Sequence, residues 1–227
     1  TNEGMPIGAF WGYKTDGLIQ TQEQLNAVKR ADFQPNAELG DVLFVDTNGD
    51  GKLDSSDRCM IGNPIPDIIY GINMGMAWKG FDLNLQFGGT IGNQIFNAMR
   101  YYTYFPNDIT NKDRALMNYW TPNNTNTDIP RLTATDVNDN DRFSDMYVEN
   151  GTYFRLRNAQ LGYTLPASLT QRIKLQKVRF YVSGQNLFTI SSYSGMDPEV
   201  GQSSSLSRGI DYGIYPQNIS FTGGINV

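Results

Sequence analysis

The chain has 227 residues with a formal charge of −5, 39% hydrophobic and 12% aromatic residues, 23 glycines and no histidine. The missing histidine excludes Ser-His-Asp and Cys-His catalysis and imidazole metal sites, and the acidic balance excludes a broad basic footprint for nucleic acid. Cys59 is the single cysteine, so it has no intrachain disulfide partner and reads as a buried or incidental thiol.

No apolar run reaches the roughly 18 residues of a transmembrane helix. Strands of a membrane barrel alternate and escape that test. Thr1-Asn2-Glu3-Gly4 shows no signal peptide and reads as the interior of a longer protein. A strand is expected over Ile7–Tyr13, then a long segment over 14–66.

Within that segment, Asp46, Asn48, Asp50, Asp54 and Asp57 stand at positions 1, 3, 5, 9 and 12 of a calcium loop. Gly51 falls at position 6, where the turn is sharp, and Lys52 offers its carbonyl at position 7. Asp replaces Glu at position 12, and no amphipathic helices flank the loop. The alternatives are a structural Ca2+ ion and a rigid Asx/Gly turn system with solvated carboxylates.

The clearest local pattern runs from Asp67 to Gly88. Ile68, Tyr70, Ile72, Met74, Met76 and Trp78 alternate with small or polar residues. Lys79-Gly80 makes a two-residue turn, and Phe81, Leu83, Leu85 and Phe87 continue the apolar face. This register pairs Trp78 with Phe81, Met76 with Leu83, Met74 with Leu85 and Ile72 with Phe87. The other face then carries Asn73, Gly75, Ala77, Asp82, Asn84 and Gln86. A slip of one residue mixes the faces. A soluble antiparallel sheet and a lipid-facing barrel both satisfy this pattern.

Three features favour the barrel. Trp78 and Phe81 flank the turn, where an interfacial girdle lies. Each strand has about eleven residues, the span of a tilted membrane strand. Short and long connections alternate along the chain. Beyond Gly88-Gly89-Thr90-Ile91-Gly92-Asn93, which reads as a Gly-rich strand end, comes a long polar segment over 93–145. It contains Tyr101, Tyr102 and Tyr104, which can stack on sugar rings or pack the loop. It also contains the Asp/Asn-rich stretch 136–145, read as a solvated loop or a second ion site.

A strand follows near Thr152–Tyr163, with a phase shift between Leu156 and Ala159 that predicts a β-bulge. Arg155 and Arg157 share one face of it, facing a lumen or pairing with carboxylates. Ala167–Ile173 is expected as a short helical turn, Lys177–Ile190 as a strand, and Ser191–Gly213 as a Gly/Ser-rich loop. A last strand carries Ile219, Phe221, Ile225 and Val227 on one face. Short connections at Lys79-Gly80 and Pro166–Gln176 face the periplasm if the barrel reading holds, and Tyr163 then joins Trp78 and Phe81 in one girdle. The expected class is all-β: about six antiparallel strands of a transmembrane β-barrel, with long extracellular loops at 14–66 and 93–145 containing short helices. Six strands do not close a barrel. No nucleophile–base pair or acid–base dyad emerges, so no enzyme is expected. The rival is a soluble, secreted, calcium-dependent β-sandwich that binds a ligand.

Segments Glu3–Gly17, Gly40–Asp57, Ile61–Gly71, Lys79–Leu83 (KGFDL), Asp128–Arg131 (DIPR), Val148–Pro166 and Val182–Gly201, in this order and spacing, resemble the C-terminal half of SusC/RagA-type TonB-linked outer-membrane proteins. That resemblance implies an outer-membrane barrel of a Gram-negative bacterium, filled by an N-terminal plug and energised through TonB. It implies a SusD-like surface lipoprotein over the loops, contact with outer-membrane lipid, and oligosaccharide or peptide cargo. The plug and TonB box have no counterpart in these 227 residues, and an aromatic residue a few positions beyond Val227 is expected.

Overall fold

The computed structural model describes residues 4–105, 111–201 and 205–227. The Thr1–Glu3 start, and the parts of the two expected loops at 106–110 and 202–204, lie outside the described residues. In chain order the elements are β1 (Phe10–Gly12), β2 (Thr15–Leu18), α1 (Gln22–Arg30), β3 (Val42–Phe44), β4 (Cys59–Gly62), β5 (Ile68–Trp78), β6 (Phe81–Ile91), β7 (Gln94–Asn97) and α2 (Ala98–Thr103). They continue as β8 (Val148–Asn150), β9 (Tyr153–Thr164), α3 (Ala167–Thr170), β10 (Arg179–Ser191), β11 (Ile210–Asp211) and β12 (Ser220–Asn226). Two compact units result. One holds the five long strands; the other gathers the described residues of 1–65, 94–149 and 200–213.

The sheet unit is a five-stranded antiparallel meander in the order β12-β10-β9-β6-β5. The hairpin register is the expected one: Trp78 opposite Phe81, Met76 opposite Leu83, Met74 opposite Leu85 and Ile72 opposite Phe87. Lys79 and Gly80 take φ of 47° and 88°, the paired left-handed conformation that lets a two-residue turn follow the strand twist. The phase shift in β9 is also real. Gln86 pairs with Asn158 but Phe87 with Leu156, leaving Arg157 as the extra residue. In β10 the partners jump from Gln185 to Phe188 at the same level, so the adjacent strand absorbs the same irregularity.

The two short connections lie side by side at one end of this sheet. The Thr164 N–H donates to the Gly80 carbonyl at 2.7 Å, and the Leu165 N–H to the Val178 carbonyl at 2.9 Å. The expected helical turn is α3, followed by a 3-10 turn over Gln171–Ile173.

The expected strand over Ile7–Tyr13 contracts to β1 and stands outside the five-stranded sheet. It pairs with β4 instead. The Ala9 N–H closes a turn onto the Pro6 carbonyl at 3.1 Å, and Gly8 has φ of 78°, so extended pairing cannot begin before Phe10.

The loop unit has its own core. Phe10, Ile61, Phe96, Ala98, Phe105 and Tyr147 form one buried cluster; Tyr13, Leu18, Phe33, Val42, Phe44 and Trp120 form another. Helix α1 starts in a capping box: Thr21 Oγ1 accepts from the Gln24 N–H at 3.2 Å, and Gln24 Oε1 accepts from the Thr21 N–H at 3.1 Å.

The Asp/Asn-rich stretch 136–145 is not a solvated loop. Asn138 and Asn140 are buried and serve as polar partners of β3. Asn140 Oδ1 accepts from the Val42 N–H at 2.8 Å, and its amide donates to Asp136 at 3.0 Å and Asp41 at 3.1 Å. Gln34 completes the edge by accepting from the Phe44 N–H and donating to the Val42 carbonyl. A short strand whose backbone is buried needs such partners; β3 pairs with β2, and the amides serve the groups that this pairing leaves open.

Candidate functional site

The long strands sort their side chains by face. Successive register pairs put Phe81, Leu83, Tyr163, Leu161, Phe180, Val182, Ile225 and Phe221 on the face that also carries Met74 and Met76. These are large apolar groups, yet Met74, Met76, Val182 and Phe221 are 57%, 66%, 61% and 78% exposed. A soluble sheet buries such a face. Trp78, Phe81 and Tyr163 meet at the short-turn end, with the Phe81 and Tyr163 rings 4.5 Å apart.

A second aromatic row, absent from the sequence reading, crosses four strands near the other end. Phe87 stacks on Phe154 at 5.2 Å, with Tyr70 at 6.4 Å and Phe188 at 6.3 Å from Phe154. From Trp78 to Tyr70 is about 26 Å along a strand. At a barrel tilt of roughly 40° that is about 20 Å of height, close to the apolar band of an outer-membrane barrel. The signal was Tyr70, two residues beyond Ile72 on the same face, but the β9 and β10 irregularities hide Phe154 and Phe188 from a simple period-two count.

The opposite face is polar. Arg179 spans from β10 to β6 and binds Asp82 through Nε at 2.9 Å and Nη2 at 2.5 Å, with Gln160 at 3.3 Å. It crosses directly over Gly162, where a Cβ would meet Nη2 at 2.4 Å. A side chain at 162 would displace the guanidinium from this path, so the glycine lets Arg179 cross as it does. At the far end Arg157 lies over Gly88 in the same way, so the glycine-rich strand end serves close approach.

Arg155 and Arg157 pair with carboxylates. Arg155 is 2% exposed and reaches Asp197 at 2.5 Å, Glu199 at 2.7 Å and Thr189 at 2.8 Å. Arg157 holds the other Glu199 oxygen at 3.0 Å. Asp197 also accepts from the Gln217 and Glu199 N–H groups. Burial opposes its charge, but these N–H bonds and the Arg155 guanidinium outweigh it, so its pKa lies below the usual carboxylate range. The cluster pins the segment after β10 to the strands.

The acidic loop is ordered by its own backbone. Asp46 accepts from the Gly49 and Gly51 N–H groups, and that from Gly51 leads in lowering its pKa. Asn48 accepts from the Asp50 N–H and Asp50 from that of Lys52. Asp54 accepts from Ser56, and Asp57 from the Thr47 and Asp54 N–H groups. Among the described residues no three acidic side chains gather to hold a metal. Cys59 is half-buried, and burial raises its pKa.

The tyrosines divide. Tyr101 packs on Phe96 and Tyr147, and Tyr104 lies under the Arg100 guanidinium at 4.8 Å. Tyr102 is exposed. The same unit has a 480 Å3 groove lined by Asp16, Gln20, Gln24, Thr127 and Asp128 among others, which sequence reasoning did not single out.

No family model matches the chain. TonB-dependent receptor P3 of Formosa agariphila is 39% identical over 235 residues, covering 99% of this chain and 22% of the relative. TonB-dependent receptor P26 of the same organism is 31% identical, with 99% and 23% covered. TonB-dependent receptor SusC of Bacteroides thetaiotaomicron is 29% identical, with 86% and 18% covered. Among solved structures, the RagAB peptide transporter matches at 25% identity and a TM-score of 0.71, over 96% of this chain and 22% of that one. The RagAB peptide importer in its open-open state matches at 26% and 0.72, over 98% and 22%. The chain spans about a fifth of the length of these relatives. Similar to them over nearly all its residues, and built like them of antiparallel strands, the chain belongs to the SusC/RagA-type TonB-dependent receptors.

Proposed function

We propose that β5, β6, β9, β10 and β12 form a sector of barrel wall in an outer-membrane importer, with the Met74–Met76 face toward lipid and the Asp82–Arg179 face toward the lumen. The observation that carries this is the exposed apolar face bracketed by two aromatic rows. Trp78, Phe81 and Tyr163 form the girdle at the short-turn rim, which faces the periplasm. The segments 14–66 and 93–145 supply the long extracellular loops. A secreted β-sandwich needs Met74 and Met76 buried against a second sheet, and their exposure argues against it.

The cargo class is oligosaccharide or peptide. SusC among the relatives and a peptide transporter among the solved structures support it. Energy comes through TonB, and a SusD-like lipoprotein covers the loops. The chain contributes wall and contact surface, with no catalytic step. Of the three tyrosines, exposed Tyr102 is the cargo-contacting candidate, while Tyr101 and Tyr104 position the loop. The spacing of Asp46, Asn48, Asp50, Lys52, Asp54 and Asp57 supports a structural calcium ion, for which the carboxylates have lone pairs beyond those engaged by the backbone.

Two experiments test this. Uptake of labelled oligosaccharides or peptides by cells should fall when the gene is deleted and when the proton gradient is collapsed; unchanged uptake of both classes contradicts import. Calorimetric titration should show binding at or below millimolar calcium, and no heat at that level removes the ion.

A further inference from the structure

We propose that the short-turn rim is a docking site for one anionic glycerophospholipid, with its phosphate on Lys79, Arg172, Lys174 and Lys177 and an acyl chain in a furrow on the apolar face. The proposal rests on the membrane reading above and adds a lipid class and a place.

Charge is the first observation. Between Thr164 and Arg179 the chain has no acidic residue. The connection carrying Arg172, Lys174 and Lys177 lies beside the Lys79-Gly80 turn. All four cations are exposed, and among the described residues none is paired with a carboxylate. The nearby Asp82 is held by Arg179 on the other face. A chain of net charge −5 thus places four cations without an ion-pair partner at one edge, of which Lys177 also feels the Asp82 carboxylate. Lys79 Nζ sits 4.9 Å from the Trp78 ring centroid, which ties the charge to the aromatic girdle at headgroup level.

Shape is the second. On the apolar face Ala159 pairs directly with Gly184, and Gly223 pairs with Val182. Gly223 is open above its backbone and Ala159 is short, so they leave a trough among bulky neighbours, while Leu187 lies over Gly184. A groove of 470 Å3 opens at the rim beside Tyr163, Phe180 and Ile225. A second of 380 Å3 continues past Gly184 to Phe221. They share Leu161, Val182 and Gly223. The furrow spans about four residues, or roughly 13 Å along the strands. One end is cationic and the rest apolar, which matches a phosphate joined to a hydrocarbon chain and does not match free phosphate.

The test uses the receptor carrying this chain, delipidated in non-ionic detergent, with native mass spectrometry after adding phosphatidylglycerol or phosphatidylcholine. The wild type should prefer phosphatidylglycerol by about fivefold, given the attraction of each basic side chain to anionic lipid. Replacing Lys79, Arg172, Lys174 and Lys177 together by Gln should abolish the preference. Gly223→Leu fills the furrow without clash, since a Cβ there meets nothing closer than 3.8 Å. It should lower occupancy by both lipids and leave the preference. Inorganic phosphate at millimolar concentration should not compete. Equal binding of both lipids, a preference that survives the Gln variant, unchanged occupancy in Gly223→Leu, or competition by phosphate overturns the site. A receptor extracted from vesicles by carbonate overturns the membrane reading instead, so the two failures are distinguishable.

Discussion

The five-stranded sheet turns Met74, Met76, Val182 and Phe221 outward and keeps Asp82 and Arg179 on its other face, whereas the loop unit buries Phe10, Phe96 and Tyr147 in a conventional apolar core. The two arrangements have one cause. Apolar groups go where water is absent, and under the proposed membrane placement that place, for the sheet, is outside the protein. Backbone pairing differs too. The long strands satisfy one another through long ladders interrupted only at the bulge level, while β3 adds Gln34, Asn138 and Asn140 to its short pairing with β2. A wall is specified by periodicity, and a compact loop unit by individual polar contacts.

The largest expected effect falls on the pin between the sheet and the segment after β10. Arg155→Ala strands Asp197 and part of Glu199 without their cation, a loss of about 3–5 kcal/mol for a buried pair. Hydrogen exchange over residues 192–201 should rise steeply; unchanged protection contradicts the pin.

Charge on the two faces sharpens the comparison directly. Met74→Arg should cost about 2–4 kcal/mol in urea unfolding from vesicles, if that residue meets the bilayer midplane. Asn84→Arg, on the opposite face, should cost little. Equal costs break the assignment of faces.

In the loop unit, Asn140→Ala leaves the Val42 N–H unsatisfied and removes a partner of Asp41 and Asp136. The cost should be about 1–3 kcal/mol, read as thermal destabilisation of the receptor's loop region by limited proteolysis. A solvated 136–145 stretch would show no effect.

The smallest effect is on pH. Because Asp197 is more acidic in the folded state than its unfolded value of about 3.9, its contribution is complete above that value and lost as pH falls through the depressed folded value. Protection of residues 192–201 should hold at pH 5 and decline below about pH 4; constant protection across that range contradicts the charge assignment.

Much of the wall was legible because period two leaves little freedom. The register from Trp78–Phe81 to Ile72–Phe87 followed from the alternation, and the Arg157 bulge from a shift in apolar phase. The strand at Ile7–Tyr13 misled because its apolar residues feed the core of the loop unit, as Phe10 does, after a turn at Pro6–Ala9. Asn138 and Asn140 carry no periodicity at all: amides that supplement a neighbouring strand look the same in sequence as amides in a solvated loop. Gly162 was equally silent, since its reason is a guanidinium arriving from another strand.

Paired cysteines test the central assignment most directly. In a Cys59→Ser background of the receptor in lipid vesicles, Met76→Cys and Val182→Cys should resist a membrane-impermeant maleimide, while Asn84→Cys and Ser183→Cys should react. Reaction of Met76→Cys and Val182→Cys at the rate of Asn84→Cys would contradict a lipid-facing apolar wall.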